Sequence, residues 1–245
     1  MTIVEDIAAW AAGLAWDAVP DDVLALSRAQ RAAVVGGVAA SSADGAAGRV
    51  LASVDGWAGD GPAPLVGTGR SVTVEDALYA ATALSVALDF DDYVSFGHTG
   101  HSAVLAPVLL AAETGASGRE QLLAQVIANE VEARLGGACL IGPLNGQLWS
   151  FIHAAGAALA AGRLMGLGER QLAHALALSL YQAPRPTVPG FMAPDSKLLT
   201  ASEPTGVGLR AARLAAAGVT GPLDALDHAQ GFLGAFSYAP LRRLL

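Results

Sequence analysis

Residues 148–165, LWSFIHAAGAALAAGRLM, carry apolar or small side chains around most of a helical circumference, with Trp149, Phe151, Ile152 and Leu159 set among alanines and glycines. A helix apolar on nearly all sides belongs at the centre of a bundle rather than on its surface, and its small residues let neighbouring helices approach closely. Gly166-Leu167-Gly168 stops this segment. Beyond it, 169–181 and 203–217 read as further helices, the second ending at Gly218-Val219-Thr220-Gly221-Pro222. Upstream, Val4 to Leu14 places Ile7, Trp10, Ala11 and Leu14 at helical spacing, and Pro20-Asp21-Asp22 opens a segment in which Val23, Leu26, Ala33 and Val34 recur. Thr73 with Asp76, and Ser117 with Glu120, are capping-box signals ahead of apolar runs at 74–88 and 119–135, and 101–114 completes the set. Strand signals are poor, Ser71 to Val74 being the one β-branched cluster of note. The expectation is an all-α fold, a multi-helix bundle, with residues 1–245 as a single domain, since no repeat or dividing linker is present.

Composition narrows the function. The 245 residues are 53% hydrophobic and 15% charged, with a net charge of −8 and no basic cluster, which removes the electrostatic basis of nucleic-acid binding. The longest apolar stretch, Ala103 to Ala112, is far shorter than the roughly 18 residues a membrane span needs. The N-terminus carries Glu5 and Asp6 ahead of any Lys or Arg, unlike a secretion signal, so a cytoplasmic location is expected. A lone Cys139 can neither close an intrachain disulfide nor build a zinc site. Lys197 is the sole lysine among basic residues otherwise written as arginine. That reads as a surface lysine in an Arg-biased chain, or as an ammonium doing what a guanidinium cannot.

Polar residues gather in three interhelical stretches, 89–101, 136–147 and 182–203. The first is the densest chemistry: Asp89-Phe90-Asp91-Asp92-Tyr93, followed by His98 and His101. Turn capping suits Asp91 and Asp92. Asp89 follows Val86 and Leu84 on a run that reads as buried, and so needs a partner. Several chemistries compete here. A divalent metal on Asp89, Asp92 and a histidine matches no recognised spacing. Asp-Phe-Asp-Asp also has the Asp-x-Asp-Asp form of class II terpene cyclases. General acid–base work by His101, oriented by Asp89, needs only an imidazole and a carboxylate and is preferred. Ser95 and Ser102 lack a nucleophile elbow, and no glycine-rich phosphate motif follows a strand, so no nucleotide cofactor is implied.

These residues resemble a known family. Ala87-Leu88-Asp89-Phe90-Asp91-Asp92 with His101-Ser102 is similar to the segment that marks the MmgE/PrpD family, which includes 2-methylcitrate dehydratase and cis-aconitate decarboxylase. Glu130-Val131-Glu132-Ala133-Arg134-Leu135-Gly136 resembles the family's Tyr-Glu-Val-x-x-Arg-Leu-Gly helix. Ala160 to Leu167 resembles its Ala-rich helix, and Lys197-Leu198-Leu199 with Gly208 to Ala215 and Gly218 to Pro222 resembles its third signature. The resemblance implies an all-helical main domain, a smaller α/β domain after it, and a site in the cleft between. This chain ends at Leu245, where that lid domain would begin, so a helical domain standing alone is expected. By the same resemblance the acidic site position falls on Asp89, the signature histidine on His101 and the site lysine on Lys197. There are departures: Tyr93 stands where relatives have Thr, Asn145-Gly146-Gln147-Leu148-Trp149 where they have a Gly-x-His-Pro-Thr stretch, and Thr200 and Val86 where they have histidines.

The resulting expectation is a hydro-lyase or dehydratase moving a proton next to a carbonyl or carboxylate. His101 is the acid–base, Asp89 its orienting carboxylate and Lys197 the stabiliser of negative charge, with Tyr93, His98, Asn145, Gln147 and Trp149 touching substrate. A cofactor-free isomerase or cyclase on a larger, less charged intermediate is the alternative, and a non-catalytic ligand-binding or partner subunit is another. No cofactor or metal is called for, so chelators are expected to leave activity intact. Asp89, His101 and Lys197 are expected to share one concave pocket, Asp91→Ala to do little, and the chain to form a homodimer that covers an Ala-rich apolar face.

Overall fold

Every residue from Ile152 to Gly162 is buried, so the helix Ile152–Leu164 is the axis against which the rest of the chain packs. The computed structural model describes residues 1–42, 45–94, 97–143, 149–191 and 195–245. In chain order its helices are α1 (Ile3–Gly13), α2 (Asp21–Ser41), α3 (Gly45–Trp57), α4 (Val74–Val86), α5 (Gly100–Ala103), α6 (Leu105–Thr114), α7 (Gly118–Ala138), α8 (Ile152–Leu164), α9 (Glu169–Tyr181), α10 (Ser202–Ala216) and α11 (Phe232–Phe236). Helices α5, α6, α7, α9 and α10 all pack on α8, while α4 lies between α2, α3, α6 and α10. The fold is the all-α bundle that the sequence predicts. Phe151, Ile152 and Leu159 are each 1% exposed or less, and burying a side chain of this size contributes roughly 1.5–3 kcal/mol.

The crossing of α10 on α8 depends on Gly208. A Cβ there would lie 2.7 Å from Ala157 Cβ and 2.8 Å from the backbone nitrogen of Ala158. Only a residue without a side chain allows the two backbones to meet at this separation.

Local chemistry sets the element ends. Thr2 and Ser117 form capping boxes with Glu5 and Glu120, and Thr73 Oγ1 accepts from the Asp76 backbone N–H. Four features depart from the sequence reading. The expected helix over 101–114 breaks at Val104, so that Pro107 falls in the first turn of α6, where its missing N–H costs nothing. Helix α8 begins at Ile152 rather than 148, because Trp149 adopts a left-handed φ of 54°. Helix α3 is not expected from its glycines, yet Ala47, Leu51 and Val54 recur at helical spacing and are buried. A two-stranded antiparallel hairpin, β1 (Asp60–Leu65) and β2 (Arg70–Val72), is also present. Pro62 and Pro64 obscure it in the sequence, and prolines of this kind are tolerated where a strand has a free edge. Among the described residues no helix is long and apolar enough to cross a membrane.

Candidate active site

Helix α4 ends at Val86, and the chain reverses through Asp89, whose φ of 50° lies in the left-handed region that Asp and Asn tolerate best. The short turn Asp195–Thr200 is fastened to this end of α4 because Leu198 and Ala201 pack with Ala83 and Val86 in one buried cluster. That anchoring delivers Lys197 to Asp89. The ammonium forms an ion pair with Asp89 Oδ2, and it lies 6.0 Å from the centre of the Phe191 ring. The Lys197 side chain is 20% exposed and the Asp89 side chain 56%. The lone lysine therefore reaches the first acidic position of the 89–101 stretch.

The carboxylate beside the imidazoles is a different one. Asp91 Oδ2 lies 2.8 Å from His101 Nε2 and 3.0 Å from His98 Nδ1, with the Asp91 side chain only 3% exposed. The other ring nitrogen of His101, Nδ1, is 2.7 Å from Ser85 Oγ. His101 Nε2 thus faces Asp91 and not Asp89, so the expectation that Asp89 is the carboxylate beside His101 is corrected. The carboxylate near both imidazoles is Asp91, which the sequence reading assigns to solvated capping. The physical reason is that the helical periodicity placing Asp89 on a buried run stops at Val86, so the run does not reach it. Asp92 does cap, accepting from the Gly100 N–H at 3.1 Å and from Thr99 Oγ1 at 3.0 Å. The His98 Nδ1–H donates to the Asp92 carbonyl at 3.0 Å.

Electrostatics follow from this crowding. Burial on its own would raise the Asp91 pKa, but His101 and His98 outweigh it and hold the carboxyl well below the ordinary range. Burial would lower His98, yet the carboxylate of Asp91 raises it.

Behind His101 lies a second buried group that the sequence reading missed. His153 sits 5.8 Å from His101, ring centre to ring centre. Ser102 Oγ stands 2.7 Å from both His153 Nδ1 and Glu132 Oε1. Glu132 fits beside α8 because Gly156 offers no side chain there, and a Cβ at that position would overlap the carboxyl. The available signal was a histidine inside an otherwise apolar helix. Burial pushes Glu132 well above the ordinary carboxylate value and His153 well below the ordinary imidazole value, so burial drives both toward the uncharged form.

This has a testable consequence. A raised folded-state pKa means that the proton on Glu132 stabilises the fold, fully below the ordinary value of 4.5, and that this contribution is lost as pH rises through the folded-state value. Glu132→Gln keeps the shape and cannot ionise. Its melting temperature relative to wild type should therefore climb with pH above about 4.5, at up to about 1.4 kcal/mol of stability per pH unit. A difference independent of pH would contradict the neutral assignment.

Residues 5–243 match the MmgE/PrpD N-terminal domain. The chain belongs to the MmgE/PrpD family. A search of curated proteins returns no match. MmgE/PrpD proteins are associated with dehydratase- and lyase-type activity.

Within this MmgE/PrpD domain the expected substrate contacts separate. Tyr93 is 72% exposed, and its ring centre lies 4.6 Å from that of His98. His98 is itself 11% exposed, and its ring lies 6.1 Å from His101, so a row of rings leads inward from Tyr93 to His153. Trp149 is only 6% exposed and its ring lies against Gly97 and Gly136, which makes it a wedge between two of the polar stretches. Asn145 and Gln147 lie outside the described residues. A cavity opens between α2, α7 and the loop that carries Asp92 and Tyr93, and among its walls are Leu26, Gln30, Asp92, Tyr93, Thr99 and Asn129. Asp89, His101 and Lys197 are not in its lining.

Proposed function

We propose that this MmgE/PrpD domain, working as a homodimer, is a lyase of the hydro-lyase type. It would remove a proton next to a carbonyl or carboxylate of a small organic substrate. The observation that carries the reading is the division of labour in one short stretch, where Asp89 holds the sole lysine and Asp91 holds two imidazoles. His98, the outer imidazole, takes the proton from carbon. His101 and Asp91 stand behind it and set its charge, so His101 keeps a place in the site as a positioning residue. The electron pair left on carbon moves into the carbonyl, and Lys197 stabilises the negative charge that develops there. Loss of a neighbouring hydroxyl as water, with the proton returned by the imidazole, completes a dehydration. Phe90 and Tyr93, each 72% exposed beside the site, favour a larger and less charged substrate as a second reading, with isomerisation or cyclisation in place of dehydration. The second copy would cover the apolar face that the alanine-rich helices leave exposed. A monomer by light scattering at micromolar concentration would remove the dimer from the proposal.

Proton abstraction can be read without net turnover. The chain is incubated in deuterated water with 2-methylcitrate, cis-aconitate and related hydroxy acids, and deuterium entry at the carbon next to the carboxylate is followed by NMR. Entry is expected with wild type, falling by about 10² to 10⁴ in His98→Ala. A comparable fall is expected in Lys197→Arg, which keeps the charge but not the compact ammonium. Full exchange in both variants would overturn the mechanism and favour a binding subunit.

A further inference from the structure

The contact between Asp91 and His101 poses a problem of electron pairs. Ser85 Oγ donates its single hydrogen to the Thr82 carbonyl at 2.7 Å, so toward His101 Nδ1, also 2.7 Å away, it can act only as acceptor. That places a hydrogen on Nδ1 and, in the neutral ring, turns the lone pair of Nε2 toward Asp91 Oδ2 at 2.8 Å. Both side chains are almost wholly buried, 1% and 3% exposed. Neither oxygen of Asp91, nor His101 Nε2, has an aligned hydrogen-bond partner among the described residues. Buried lone pairs this close are stable only with a positive charge between them.

A proton is one such charge, and a metal ion is the other. We propose that Asp91, His98 and His101 form a binding site for a divalent cation of the zinc class. One donor atom from each of the three lies within 4.8 Å of the others. Ligands about 2.0–2.2 Å from a common ion stand roughly 2.9 Å apart at a right angle and roughly 3.4 Å apart at the tetrahedral angle. The separations of 2.8 and 3.0 Å from Asp91 Oδ2 to the two imidazoles need only a few tenths of an ångström of adjustment. The chain Nδ1–H to Ser85 to Thr82 is the outer support that histidine ligands use to fix their tautomer and ring angle. Two imidazoles and one carboxylate suit an ion of intermediate softness, with water completing the coordination. His98, the partly exposed member beneath Tyr93, gives the ion its approach. Its ring would take the tautomer with hydrogen on Nε2, which frees Nδ1 from the Asp92 carbonyl for the ion.

This inference does not rest on the lyase reading: an ion on His98 Nδ1 fixes that ring's hydrogen on Nε2, so only the metal-free chain would have His98 available as a base. The full chain, stripped with a chelator, is titrated with Co²⁺ while the visible ligand-field absorption is recorded, and with Zn²⁺ by calorimetry. One equivalent per chain is expected, with Zn²⁺ displacing Co²⁺. His98→Asn should weaken Zn²⁺ binding by at least about 100-fold. Ser85→Ala, which keeps all three ligands, should weaken it by about 10–100-fold. Circular dichroism checks that both variants are folded. Absence of saturable binding at micromolar metal, or binding that survives His98→Asn, would overturn the site. The lyase reading is judged separately, by deuterium entry catalysed by the metal-free protein.

Discussion

Asp91→Ala should cost about 3–5 kcal/mol of stability, while Asp89→Asn, two residues away, should stay within about 1 kcal/mol of wild type. The contrast follows from burial. Asp91 is 3% exposed and serves two imidazoles, so removing it leaves both without the carboxylate they were folded around. Asp89 is 56% exposed, and its partner Lys197 can turn to water. Asn is the proper replacement at 89 because it tolerates the φ of 50° that Ala would resist. Urea unfolding of the two variants beside wild type measures both numbers. Comparable losses would mean that Asp91 is not the organising carboxylate. In the deuterium assay the rate should fall by about 10² to 10⁴ with Asp91→Ala, since the imidazole it holds is the proposed proton carrier.

The second large effect lies in the fold. Gly208→Ala should lower stability by about 3 kcal/mol, close to 6–12 °C in melting temperature for a domain of this size. Helix propensity alone predicts the opposite sign, because Ala is better than Gly in a helix interior by roughly 0.5–1 kcal/mol. Sterics win here, since the new Cβ meets backbone atoms of Ala154 and Ala158 that no rotamer change can move. Gly36→Ala is the matched control, in α2 at an exposed position with nothing within 4 Å of the added carbon. It should gain stability by roughly the propensity difference. A stable Gly208→Ala variant would mean that α8 and α10 are free to separate.

Much of this architecture was legible in the sequence because burial leaves a period. The apolar circumference around Leu159 predicts a central helix, and Ile152–Leu164 is one. The 169–181 helix reads to the residue from its Gly-Leu-Gly stop and its periodic leucines. What escaped did so for identifiable reasons. Helix α3 hides behind Gly45, Gly48 and Gly56, and β1 behind its prolines. In the site, Lys197 was visible as the one lysine of the chain, and the cluster 89–101 by its density of charge. The pairing within that cluster was not visible. Sequence spacing cannot show that the chain turns over at Asp89, and that single turn exposes Asp89 and buries Asp91 two residues on. Glu132, Ser102 and His153 come from three different helices, and only folding brings them together.

The most direct test of the central claim, that Asp91 organises the imidazoles, needs no substrate. Imidazole nitrogen spectra of the nitrogen-15-labelled chain report the tautomer and environment of each histidine. In wild type His101 should carry a hydrogen on Nδ1. The His98 and His101 signals should move in Asp91→Asn and stay in place in Asp89→Asn. Signals that follow Asp89 instead, with Asp91→Asn silent, would contradict the account.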